Sequence, residues 1–326
     1  MAFRLLPLLC LIAMTTVPAA RAAAAGEPLS VGVLKYGTVN WQLDTVKALR
    51  LDEAAGVSLR VLPLASKTAT SVALQAGEVD LIVSDWVWVM RQRAAGADFA
   101  FVPYSHALGA LVTAKDSGIE GIEDIAGKRI GVAGGPLDKS WLVLRAWSAQ
   151  ELGFDMDTHA APVFGAPPLL SEQLRLGTLD AVLTFWPYAA RLEAQGYCRL
   201  AAVSKLLADL GIGGPLPLVG YVFRESLARE RRDDFRAFFD AVAAANKILS
   251  TSEPAWERLR PVMRAGSDAE FERLKAGFRA GLPEDLPINP IDAEALYGLL
   301  EKYGGDKLLG RDARFDPNAF WAFGDR

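Results

Sequence analysis

The 326-residue chain is poor in the residues that most often carry chemistry. It has two cysteines, Cys10 and Cys198, and two histidines, His106 and His159. No Cys/His metal centre can be assembled from so few, and Cys198 has no histidine near it in sequence to make it a nucleophile. A G-x-S-x-G elbow, a P-loop and a dinucleotide-binding G-x-G-x-x-G are all missing, so no cofactor is expected. A basic excess is missing too. The formal net charge is -4, which speaks against a nucleic-acid partner. Beyond the N-terminus no stretch is long and apolar enough to span a bilayer.

The N-terminus itself reads as an export signal over residues 1–22. Arg4 supplies the positive start, and Leu5 to Val17 is apolar except for Pro7, Thr15 and Thr16. Ala20-Arg21-Ala22 is a small-x-small cleavage site. The run is shorter than the roughly 20 residues of a spanning helix. Cys10 lies inside the run rather than after it, which argues against a lipid-attached cysteine. After cleavage 33 basic residues face 39 acidic ones, a net charge of -6, and Cys198 alone remains. A periplasmic protein without an internal disulfide is therefore expected. Its stability comes from its core, for which a hydrophobic content of 51% suffices.

Strand-like and helix-like segments then alternate, which predicts an α/β fold with mainly parallel sheets. Ser30 to Leu34, Ser58 to Leu64 and Val79 to Ser84 read as strands, with helices over Trp41 to Ala54, Thr68 to Ala76 and Val87 to Ala95. The order recurs from Arg129. Leu74 to Gly96 matches Leu174 to Gly196 at an offset of 100 residues without a gap, with 7 of 23 positions identical. About one or two would match by average residue usage. Two α/β lobes built alike are expected: residues 27–107 with 220–326, and residues 108–219. His106 to Ala114 leaves the first lobe and Leu216 to Phe223 returns to it, and two crossings make a hinge. Phe235, Phe238, Phe239 and Val242, then Leu296, Leu299, Leu300 and Tyr303, mark one-sided C-terminal helices expected against lobe one.

Several stretches resemble the periplasmic binding proteins of nitrate, sulfonate and taurine importers, the NitT/TauT type. They are Leu74 to Asp80, Leu111 to Ile119, Ile122 to Val132 and Gly177 to Asp180, and the likeness covers most of residues 30–225. The resemblance implies a type II periplasmic-binding-protein fold, with a cleft between lobes that closes on a small solute. It also implies a monomer that delivers this solute to an ABC permease driven by its ATPase. Family members often have Gly-Ser or Gly-Thr after the first strand of lobe two; here Gly134 to Ser140 reads GGPLDKS. Enzymes of thiamine-pyrimidine and menaquinone synthesis share the architecture, but act in the cytoplasm, away from an exported chain.

Ligands of open α/β sheets lie beyond the carboxyl ends of the strands. That rule selects Tyr36, Thr38, Asn40 and Trp41, then Ser66 and Lys67, then Ser84, Asp85 and Trp86 in lobe one. In lobe two it selects Gly135, Asp138, Lys139, Phe185 and Trp186. Gly134-Gly135-Pro136 either presents helix amides to an anion or simply starts a helix. Lys139 either neutralises a sulfonate or carboxylate, or stays solvated. Asp85 suits an amine-bearing ligand or caps the following helix. Trp86 and Trp186 either clamp a planar or alkyl solute or fill the core, and Trp88 and Tyr188 suit the core better. Asp80 and Asp180, at both strand starts, read as structural.

Overall fold

The computed structural model describes residues 27–214, 216–283 and 288–322; the expected export segment lies outside them. The chain begins with β1 (Leu29–Leu34), α1 (Val39–Ala48), α2 (Leu51–Ala55), β2 (Leu59–Leu64), α3 (Lys67–Ala76), β3 (Leu81–Asp85), α4 (Trp86–Ala94) and β4 (Phe99–Ser105). It crosses to β5 (Ala110–Thr113), β6 (Arg129–Ala133), α5 (Lys139–Glu151), α6 (Met156–His159), β7 (Ala161–Gly165), α7 (Pro167–Arg175), β8 (Ala181–Thr184), α8 (Trp186–Ala194), β9 (Cys198–Ala202) and α9 (Val203–Asp209). The return brings β10 (Val219–Arg224), α10 (Glu225–Glu230), α11 (Arg232–Thr251), α12 (Glu253–Met263), α13 (Asp268–Ala280) and α14 (Pro290–Leu309).

Two five-stranded sheets result, ordered β2-β1-β3-β10-β4 and β7-β6-β8-β5-β9. They share one plan. Three parallel strands are followed by the strand that arrives from the other lobe, and that strand runs antiparallel to both neighbours. The 100-residue sequence match falls on β3–α4 and β8–α8. Its glycines explain themselves. Gly77 and Gly177 have φ of 77° and 68°, and end α3 and α7 in a left-handed turn that glycine adopts without a Cβ clash.

The shared aspartates staple the sheets at their starts. Asp80 Oδ2 accepts the Ser30 amide and hydroxyl, both at 2.7 Å, and Asp180 Oδ2 accepts the Arg129 amide at 2.8 Å. The first carboxylate thus joins the entry of β3 to that of β1, and the second joins the entry of β8 to that of β6.

Trp41 to Ala54 was expected as one helix, but Arg50, at φ 53°, breaks it into α1 and α2. The strands β4 and β9 carry no alternation that sets them apart in sequence; hydrogen bonds to β10 and β5 define them. The C-terminal helices do not all cover lobe one. The one-sided face of α11 packs on α1 and α2 as expected, but α13 lies on α8, and α14 lies on α5 as well as α4. Sequence periodicity shows that a helix has an apolar face, not which surface receives it.

Replacing Asp80 by alanine leaves a strand-entry amide and hydroxyl without their acceptor and is expected to lower stability by about 1–3 kcal/mol. Urea unfolding of the variant with an unchanged midpoint would remove the staple from this account.

Candidate functional site

The helix starts that follow β2, β3 and β6 meet where the two lobes face each other, around Asp85. It ends β3 and caps α4, its Oδ1 accepting the Trp88 amide at 2.8 Å. Its Oδ2 accepts from Lys67 Nζ at 2.6 Å and from Lys139 Nζ at 3.0 Å. Lys67 opens α3 in lobe one, whereas Lys139 opens α5 in lobe two. The second contact therefore runs from one lobe to the other. The Asp85 side chain is only 6% exposed. Burial disfavours its charge, yet the Lys139 and Lys67 ammonium groups outweigh that cost and hold the carboxyl well below the usual carboxylate range. The Asp85 charge in turn raises the Lys67 pKa.

Asp138 caps α5, accepting the Ser140 amide at 2.9 Å. Burial pushes its carboxyl up, because its nearby lysines do not make up for the lost hydration. Gly134 turns the chain into this cap with φ 98°, and a Cβ there would meet the Asp138 carboxylate at 3.1 Å. The two residues preceding Asp85 and Phe185, Ser84 and Thr184, have buried hydroxyls without a hydrogen-bond partner among the described residues.

The remaining selected residues divide. Ser66 caps α3 and is exposed. Thr38 accepts the Tyr104 hydroxyl at 3.1 Å, and Asn40 secures its own loop through the carbonyls of Leu34 and Gly37. Tyr36 is 65% exposed with Arg264 stacked on its ring at 4.4 Å. Gly135 is half-buried beside the α5 cap, and Phe185 is exposed at the start of α8. Trp86 is corrected outright: it is fully buried, edge-on to Phe315 and Phe320, and cannot clamp a ligand there. The chain after α14 folds over α4 and covers it. Trp41 is also buried, but it meets Trp186 of the other lobe edge-on at 6.1 Å.

The contact made by α8 was not foreseen. Trp186 presses on Gly277 of α13 so closely that a Cβ would come within 2.8 Å of its ring. Arg191 pairs with Glu270 and donates to the carbonyls of Met263 and Arg264. A glycine inside a helix is costly, and Gly277 was the one sequence signal of this close approach. Glu270 carried none. The described residues contain no group of three or more His, Cys, Asp or Glu placed to hold a metal, and no described helix is long and apolar enough to cross a membrane.

Comparison with known proteins agrees with this architecture. The model of a protein family described as NMT1/THI5 like matches residues 53–252. The periplasmic aliphatic sulphonate binding protein SsuA from Escherichia coli superposes with a TM-score of 0.72 at 18% identity, over 91% of this chain and 92% of that one. The alkanesulfonate-binding protein SsuA from Xanthomonas axonopodis pv. citri, bound to MOPS, gives 0.68 at 19%, over 92% and 99%. A DszB mutant in complex with biphenyl-2-sulfinic acid gives 0.59 at 16%, over 88% and 94%. At these identities the likeness is one of fold. No curated protein sequence matches the chain.

Two outcomes follow. Trp86→Ala is expected to cost about 3–5 kcal/mol of stability, as for a large core aromatic, and Trp186→Ala clearly less. Denaturant unfolding that ranks them in the reverse order would contradict the placement of both rings. The second concerns acid. The folded carboxyl of Asp85 is depressed, so its contribution is complete above the unfolded value of about 4 and shrinks as pH falls below it. Asp85→Asn should therefore flatten the decline of melting temperature between about pH 5 and pH 2. Parallel curves for wild type and variant would show that the carboxylate is not held by the lysines.

Proposed function

The chain belongs to the NMT1/THI5-like family, and from that premise we propose that it is the exported solute-binding component of an ABC importer, taking a small organic anion of the sulfonate class between its lobes. The observation that carries the reading is the meeting of Lys67 and Lys139, one ammonium group from each lobe, in a single gap. An anion seated there gains its full set of contacts only when the lobes are together, so binding favours closure. The lobes, divided near residues 107 and 219, move about the two crossings. Micromolar capture needs about -8 kcal/mol, within reach of charge-assisted hydrogen bonds and a little apolar burial.

The names of the fold neighbours support the ligand class: two SsuA proteins bind sulfonates, one of them carrying MOPS. An amine-bearing ligand loses its support, because Asp85 is already engaged by two ammonium groups and Trp86 is buried. In this reading residues 1–22 direct export to the periplasm, and the closed monomer meets the permease there. The DszB neighbour keeps an enzymatic reading in view. That reading requires product to accumulate when the protein is incubated with an aryl sulfinate, and a binding protein returns the compound unchanged.

Calorimetry and thermal shift against a panel of alkane- and arylsulfonates test the proposal. A ligand at a hundredfold excess over its Kd should add about 2.7 kcal/mol to stability. Lys139→Met should abolish that response while the protein stays folded. A panel in which no sulfonate shifts the melting temperature would refute the reading.

A further inference from the structure

The gap holds an anion of the protein's own. Lys67 and Lys139 bring two positive charges, and Asp85 sets one negative charge directly between them. That carboxylate cannot swing aside to make way for a ligand. Its second oxygen caps α4 through the Trp88 amide at 2.8 Å, and the positive end of the helix dipole favours its charge there. Capping alone does not call for a buried charge. Ser66 caps α3 with a hydroxyl, and Phe185, at the position matching Asp85 in lobe two, offers α8 no side-chain cap at all. A buried carboxylate is costly unless cations accompany it, so a serine or asparagine would cap α4 at lower cost.

We propose that Asp85 is a valence filter: set between Lys67 and Lys139 it offsets one of the two lysine charges, so that monoanions are accepted and dianions such as sulfate are refused. The inference rests on the reading of this gap as the ligand site. A monoanion sets two negative charges, its own and that of Asp85, against the two lysines. A dianion leaves a surplus negative charge facing a fixed carboxylate, and like charges set together out of water are strongly disfavoured. The selection works by repulsion, without any added contact to the preferred ligand. Asp138 lies beside the cluster, and burial pushes its carboxyl above the usual carboxylate value.

The test uses the exported full chain, titrated calorimetrically at constant ionic strength with ethanesulfonate, sulfate and ethyl phosphate. Asp85→Asn keeps an oxygen to cap α4 and removes the charge. It should improve the affinity for sulfate, relative to ethanesulfonate, by roughly tenfold or more. Adding Lys67→Met to that variant restores the original net charge and should restore the monoanion preference. A purely structural Asp85 predicts no such rescue. Wild type gives an independent reading. Its affinity for ethyl phosphate should fall above about pH 6, where that ligand loses its second proton, while its affinity for ethanesulfonate stays level.

An unchanged sulfate-to-ethanesulfonate ratio in Asp85→Asn, or a level ethyl phosphate curve in wild type, overturns the filter and leaves the sulfonate reading intact. Sulfate binding by Asp85→Asn, with no ethanesulfonate binding by either protein, keeps the filter and removes the sulfonate reading. No binding of any of the three by either protein overturns both.

Discussion

A carboxylate taken out of water must be accompanied by positive charge, and the centre of this protein is arranged around that constraint. Asp85 ends β3, the middle strand of the sheet of one lobe, where the pleat and the start of α4 fix its position. One compensating charge comes from the same lobe and the other from the opposite lobe. The ion pair therefore does two things at once. It stabilises a charged strand end, and it gives the two lobes a reason to approach. Separating them returns Lys139 to water and leaves Asp85 with a single cation.

The lobes are built on one plan and have diverged where it matters. Asp80 and Asp180, Gly77 and Gly177, and the two strand orders remain equivalent because each serves its own sheet. The residues just beyond the matched strands are no longer equivalent. Phe185 stands where the matching position of lobe one has Asp85, and the tryptophans that follow have opposite fates. Trp86 is sealed under Phe315 and Phe320, whereas Trp186 reaches across to Trp41 and Gly277. Lobe one thus contributes Asp85 and Lys67 to the meeting of the lobes, and lobe two contributes Trp186 and Lys139.

The C-terminal helices set the terms of any opening. With α13 against α8 and α14 against both α5 and α4, the lobes are joined by more than their two crossings. Arg191, bound to Glu270 and to two carbonyls at the end of α12, must leave all of these partners if α8 moves away. Exchange of a solute is coupled to this interface as well as to the ion cluster, so binding energy at the gap and packing on α13 act on the same equilibrium.

The sequence by itself determined the repeated α/β plan, the turns at Gly77 and Gly177, the strand-entry aspartates and the short set of strand-end residues in which Asp85, Lys67 and Lys139 stood. These follow from local rules of periodicity, of glycine at positive φ, and of ligand sites at carboxyl strand ends. Only the tertiary structure decided that Lys67 and Lys139 converge on one carboxylate, since 54 residues separate Asp85 from Lys139 and no local pattern encodes their distance. It alone decided that Trp86 is core and Trp186 is not, because the cover over α4 arrives from residues 315–320, more than 200 positions later in the chain. Which surface buries a side chain is a property of the whole packing, and two identical residues in matching places are read alike until the rest of the chain has folded over one of them.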